Sequence, residues 1–153
     1  MDALRPPETL IVDDVTPSRI IKIGHLVVGD RVEQPFSFSA VHRKYFAQVA
    51  NDRAPIHEDE RFALAMNFNG TIIQGLCVVT RFSRLIGMYL PGEYSILESI
   101  AFKFINPAYE RQQLIFRVEV SRLLTAMKVV RLTLSAFSET SLHISGEAQC
   151  LIK

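Results

Sequence analysis

Apolar positions in this chain follow one period up to about residue 90 and another beyond it. The segment from Gln74 to Leu90, QGLCVVTRFSRLIGMYL, is apolar on most sides of a helix except at Arg81 and Arg84, which predicts a buried helix. Pro91-Gly92 ends it. From Ile96 onward the pattern alternates. Ile96, Ile100, Phe102 and Phe104 form one set sharing a face, and Leu114, Phe116, Val118 and Val120 form a second. Val130, Leu132, Leu134 and Ala136 make a third, and Ile144, Ala148, Cys150 and Ile152 a fourth. Four long alternating strands with short connections predict an antiparallel sheet. A sheet with one apolar face and an apolar helix must hide each other's surfaces. The expected fold class is α+β, a curved antiparallel sheet wrapped around a long central helix.

The first half is less regular. Residues 1 to about 20 read as an irregular lead-in, because Pro6, Pro7 and Pro17 block regular structure. His25 to Val32 reads as a first strand, interrupted by the turn signal Gly29-Asp30. Ser39 is the expected N-cap of a helix from Ala40 to Ala50, with Val41, Tyr45 and Val49 on one face. Pro55 is expected to stop that helix and to bias Ala54 out of the helical region. A short helix from about Glu58 to Met66 follows, and Asn69-Gly70 turns the chain. No repeat or linker divides the sequence, so residues 1–153 are expected to form one domain.

Composition narrows the function classes. The net charge is +1, with both signs mixed, so nothing electrostatic points to nucleic acid or an acidic membrane as partner. No run of about 18 apolar residues marks a membrane helix. The opening MDALRPPETLIVDDV has acids and prolines where a signal peptide has a basic end and an apolar block. The cytoplasm is the expected location. Cys77 and Cys150 lie in apolar segments without metal-type spacing and read as buried free thiols.

The chain has no phosphate loop, paired-His zinc helix, Cys-x-x-Cys or Gly-x-Ser-x-Gly elbow. The stretch Phe46 to Asp59, FAQVANDRAPIHED, remains. On one continuous helix Asp52 and His57 would point roughly 140° apart. Pro55 forbids that continuity. A bend between them lets a carboxylate and an imidazole face one space and hold one water, as general acid–base chemistry requires. Spacing alone also fits an ordinary arrangement, in which Asp52 caps or solvates a loop and His57 caps a helix.

The stretch resembles the MaoC-like, or (R)-specific enoyl-CoA hydratase, family. That family carries Gly-Asp-x-Asn-Pro-(Ile/Leu)-His-x-Asp, matched here by Asp52, Pro55, Ile56, His57 and Asp59, with Ala63 following. A His-Gly-Met block and an apolar helix bearing a serine align with Gln74, Gly75, Leu76 and Ser83. Leu90-Pro91-Gly92 matches a third block, and Phe104 with Pro107 matches Phe-x-x-Pro. The resemblance implies a hot-dog fold, a homodimer, and an acyl thioester of CoA or acyl-carrier protein as substrate. It implies that Asp52 activates water and that His57 holds the same water and helps deliver a proton to the α-carbon. The backbone N–H of Gly75 would receive the thioester oxygen, where a helix N-terminus offers unpaired donors and positive potential. Ser83 would support the pocket from behind. No metal or redox cofactor is required by that chemistry.

The sequence departs from the family pattern at several points. Asn51 replaces glycine, Ala54 replaces asparagine, and Gln74 replaces histidine. Glu110-Arg111-Gln112 stands where a Gly-Asp turn is usual, and Glu98 occupies a usually apolar position. The expected activity is reversible hydration of a trans-2-enoyl thioester to an (R)-3-hydroxyacyl thioester. A hot-dog thioesterase and a non-catalytic acyl-binding subunit are the alternatives. Arg81 and Arg84 suit a CoA phosphate or carrier protein, or more simply the solvated edge of the helix. His25, His42 and His143 read as surface or turn residues.

Overall fold

The computed structural model describes residues 5–153. Among them, strands β1 (Thr9–Ile11), β2 (Arg31–Ser37), β3 (Ser95–Phe104), β4 (Gln113–Leu124), β5 (Val129–Phe137) and β6 (Leu142–Ile152) form one sheet. Its order is β1-β2-β4-β5-β6-β3. Helices α1 (Ala40–Ala50), α2 (Pro55–Glu58), α3 (Glu60–Ala65) and α4 (Gly75–Met88) lie in sequence between β2 and β3.

Alternation works as expected in the middle of the sheet. The inward sets on β4, β5 and β6 are buried, and with Cys77, Val78, Phe82, Leu85 and Ile86 of α4 they form one apolar cluster. Phe82 anchors it, stacked on Phe102 and edge-on to Phe116. Cys77 and Cys150 are buried free thiols; loss of solvent pushes their pKa up to about 11 and about 12.

The expectation of a curved antiparallel sheet wrapped around a long central helix needs correction. The sheet is open, with β1 and β3 as its edges, and among the described residues no pairing closes it. β1 runs parallel to β2. The helical part is divided among four helices, of which the longest, α4, has 14 residues. Alternation records which side chains share a face; it says nothing of how far a sheet curls. Nor is α4 buried all round. Leu76, Thr80, Ser83 and Gly87 form an exposed stripe along it.

Smaller corrections have local causes. The first long strand is Arg31–Ser37 rather than His25–Val32, because Ile23–His25 is a single 3₁₀ turn. β2 tolerates Pro35 because β1 stops at the register of Glu33, leaving no partner strand beside the position without an N–H. The Val41, Tyr45 and Val49 face of α1 is exposed; the helix buries Ala47 instead. On β3 a bulge at Glu98 shifts the register between Leu97 and Ser99. It puts Ile96 opposite Leu151 but Ile100 opposite Ala148, so the two isoleucines lie on opposite faces. Glu98 itself stays exposed and accepts a hydrogen bond from Gln149.

Part of the lead-in, around Asp13, Asp14 and Thr16, is tied to α4 by two of its arginines. Arg81 of α4 donates to Asp14 at 2.8 Å and lies over the Phe36 ring. Arg84 donates to the carbonyls of Asp13 and Asp14 and to Tyr89, whose hydroxyl donates to the carbonyl of Thr16. These two cations are therefore neither a phosphate site nor a solvated edge; they strap the lead-in across α4. Gly92 sits where the strap crosses, with φ of +97° and room for no Cβ, which would lie 2.4 Å from the carbonyl oxygen of Arg19.

Asp30 closes the other end of this segment. Its carboxylate accepts two bonds from Arg5 and one each from the N–H groups of Glu8 and Val27. Burial alone would push its pKa up, but the Arg5 pair and the two N–H groups outweigh burial and hold it below the usual carboxylate range. Asp30→Asn removes the charge and half the acceptor capacity, which should cost about 1–3 kcal/mol at neutral pH. Because the folded pKa is depressed, that contribution is complete above the unfolded value of about 3.9 and fades as pH falls through the lower folded value. Urea unfolding at pH 7 and pH 3 should show the wild-type advantage shrinking in acid. An equal advantage at both pH values would show that the carboxylate charge is not its source.

Candidate active site

The chain between α1 and α2 is shaped by three residues in turn. Helix α1 starts after Ser39, whose N–H donates to Nδ1 of His42 at 3.0 Å, so His42 serves the cap. It ends because Asn51 adopts a left-handed conformation, with φ of +53°. Pro55 is not the stop; it occupies the first position of α2. Asparagine tolerates the left-handed region better than most residues, so the exchange of glycine for Asn51 keeps the turn. Ala54 is extended, as the residue before a proline must be.

This bend brings Asp52 and His57 together. Their Oδ2 and Nε2 atoms are 3.9 Å apart, too far for a direct hydrogen bond and suited to a group held between them. Asp52 Oδ1 accepts from the N–H of Ala54, leaving Oδ2 for that gap. Nδ1 of His57 lies 2.9 Å from the carbonyl oxygen of Ile72. A carbonyl only accepts, so Nδ1 carries a proton there and Nε2 is the nitrogen turned to Asp52. His57 is mostly buried, whereas Asp52 is open to solvent on one side.

Ile72 connects this pair to a cavity. Its side chain lines a space of about 500 Å³, together with Ile73, Gly75, Val78, Phe104 and His143. Asp52 and His57 adjoin the cavity through Ile72 rather than lining it. Gly75 is the first residue of α4, so its N–H has no acceptor within the helix. A Cβ at Gly75 would fall 2.9 Å from the Phe104 ring, so a side chain there would displace that ring. The segment carrying Ile72 and Gly75 is itself pinned: the N–H of Ile73 donates to the carbonyl of Ala108, and Ile72 bridges to Tyr109.

Ser83 lies elsewhere, on the exposed stripe of α4, about 12 Å along the axis from Gly75. Gln74 is buried, and neither its amide oxygen nor its nitrogen has a protein partner. His143, read from sequence as a surface or turn residue, is buried in the cavity wall. Its Nδ1 donates to the carbonyl of Pro107, and Nε2 meets Ser138. Arg43, which no sequence motif marks, donates through Nη1 to the carbonyl of His57 at 2.6 Å. A lone basic residue carries no spacing signal.

A carboxylate and an imidazole facing one gap, with an unpaired helix N–H and an apolar cavity nearby, are the kinds of group that acid–base chemistry on a substrate with an apolar arm uses. Residues 28–140 match the MaoC like domain, and the chain belongs to that family. It is 31% identical over 124 residues to the (R)-specific enoyl-CoA hydratase of Aeromonas caviae, spanning 80% of this chain and 92% of that protein. It is 26% identical over 131 residues to the mitochondrial 3-hydroxyacyl-[acyl-carrier-protein] dehydratase of Arabidopsis thaliana, spanning 83% and 78%. Among solved structures it superposes on an (R)-hydratase of A. caviae with a TM-score of 0.79 at 29% identity, covering 84% of this chain and 98% of the other. An unliganded R-hydratase from Pseudomonas aeruginosa gives 0.81 at 25% identity, covering 90% and 88%. The fold is thus hot-dog-related, with the open sheet described above.

Proposed function

We propose that the chain is an enoyl-thioester hydratase, adding water reversibly to a trans-2-enoyl thioester to give an (R)-3-hydroxyacyl thioester. The observation that carries this reading is the pair Asp52 and His57, held 3.9 Å apart with the imidazole tautomer fixed by the carbonyl of Ile72. Water held in the gap gives a proton to the Asp52 carboxylate while its oxygen bonds to the β-carbon. The π electrons of the double bond move toward the thioester carbonyl, where the N–H of Gly75 stabilises the charge. The pair then returns one proton to the α-carbon, so that one water in all is added. The same steps reversed give the dehydratase.

The apolar cavity takes part of the acyl thioester, carried by CoA or by acyl-carrier protein. A homodimer belongs to the same reading. Edge strand β3 exposes Ile96, Leu97, Ile100 and Phe104, and α4 exposes Leu76 along its stripe. Single exposed apolar residues are ordinary, but an open edge with this many invites a second copy. Among the described residues no helix is long and apolar enough to cross a membrane. Buried free thiols suit a reducing compartment, and we place the reaction in the cytoplasm.

Three measurements test this. Asp52→Asn and His57→Gln should each lower hydration of an enoyl-CoA by orders of magnitude, with little further loss in the double variant, because both act on one water. Near-normal turnover by either folded variant removes the assignment. Crotonyl-CoA in ¹⁸O-labelled water should give 3-hydroxybutyryl-CoA labelled at the hydroxyl, with the thioester intact. Free CoA and a labelled carboxylate would make the protein a thioesterase, and binding without turnover a carrier of acyl groups. Light scattering should find a dimer at micromolar concentration; a stable monomer would contradict the assembly.

A further inference from the structure

We propose that Arg43 and Glu110 are positioning residues, a clamp that holds the helix bearing His57 against the wall of the substrate cavity. The inference rests on the hydratase reading for its kinetic consequence, not for its geometry. Helix α2 has only four residues, too few to be stable alone. The carbonyl of His57 lies at its C-terminal end, where no helical N–H reaches it. Arg43, on α1 and mostly buried, donates to that carbonyl through Nη1 at 2.6 Å. Its Nε donates to Glu110 at 3.0 Å.

Glu110 lies in the connection from β3 to β4, and Asn106, Pro107 and Ala108 of that connection line the cavity. The connection is anchored from both sides. The N–H of Arg111 donates to the carbonyl of Phe38, just before α1, and the carbonyl of Ala108 accepts from the N–H of Ile73. The guanidinium therefore joins three pieces: α1, the end of α2, and the cavity wall. His57 is held at two atoms, its carbonyl by Arg43 and its ring by Ile72. Rotating α2 would break one bond or strain the other. Glu110 balances the Arg43 charge, so the clamp acts on position.

The test uses Arg43→Met, Arg43→Lys and Glu110→Gln in the full chain. Arg43→Met keeps the length of the side chain and removes its donors, and should lower kcat by about ten- to a hundredfold, the scale expected of a misplaced catalytic group. KM should hardly change, since the side chain does not line the cavity. Arg43→Lys, which reaches one of the two acceptors, should recover part of the loss. The independent readout is the Nδ1 proton of His57 in nitrogen-resolved NMR: present and slow to exchange in the wild type, weakened or lost in Arg43→Met. Wild-type kcat in folded Arg43→Met, or a lowered kcat with the His57 signal intact, overturns the clamp. If Arg43→Met does not fold, the same two readouts on Arg43→Lys and Glu110→Gln decide, and wild-type values in both reject it. If the wild type hydrates no enoyl thioester, the functional reading fails, and the NMR arm alone still decides the clamp.

Discussion

The carbonyl oxygen of Ile72 fixes which nitrogen of His57 faces Asp52, and the rest of the site depends on that bond. Without it the imidazole could turn either nitrogen into the gap, and an acid–base pair needs one tautomer in one place. The bond is only as good as the position of Ile72. That position comes from outside the site: Ile73 is tied to Ala108, Ile72 is bridged to Tyr109, and the N–H of Ile72 donates to the carbonyl of Ile56. One short segment thus carries the bond that orients His57, a wall of the cavity, and, three residues on, the first N–H of α4.

The fold supplies rigidity to that segment from two directions. Packing of α4 on the sheet through Val78, Phe82 and Leu85 sets where the helix begins, and so where the N–H of Gly75 points. The far half of α4 is held by the lead-in through Arg81 and Arg84. A buried helix with cations would be costly if those cations lacked partners. Here their terminal nitrogens find an acidic turn and main-chain carbonyls, so the two arginines that look out of place in an apolar segment tie residues 13–16 to the helix.

The sequence made the sheet faces on β4, β5 and β6 legible because each is covered on one side only, and alternation then records burial directly. It made the pair Asp52 and His57 legible because Pro55 rules out one helix running through both, although Asn51 makes the turn. Other features left no periodic trace. The bulge at Glu98 inverts the parity of β3 halfway along, so a single face cannot be traced from Ile96 to Ile100. β1 has three residues and depends on its pairing with β2. Openness of the sheet is a property of tertiary packing, on which alternation is silent. His143 and Arg43 are single residues whose partners lie far away in sequence, at Pro107 and at His57 and Glu110.

Departures from the family pattern look like losses one at a time and read differently once placed. Asn51 takes the left-handed conformation that glycine would take. Arg111 does the same, with φ of +62°, at a cost of about 1–2 kcal/mol for a residue with a Cβ. Its N–H bond to Phe38 and the bond from the Tyr109 N–H to the Gln112 side chain help hold the turn against that cost. Glu98 is expelled to the surface by its bulge rather than buried on an apolar face. Gln74 alone has no such settlement, since its amide is buried with neither end paired. At Asn51, Arg111 and Glu98 the local backbone accommodates the side chain that stands there.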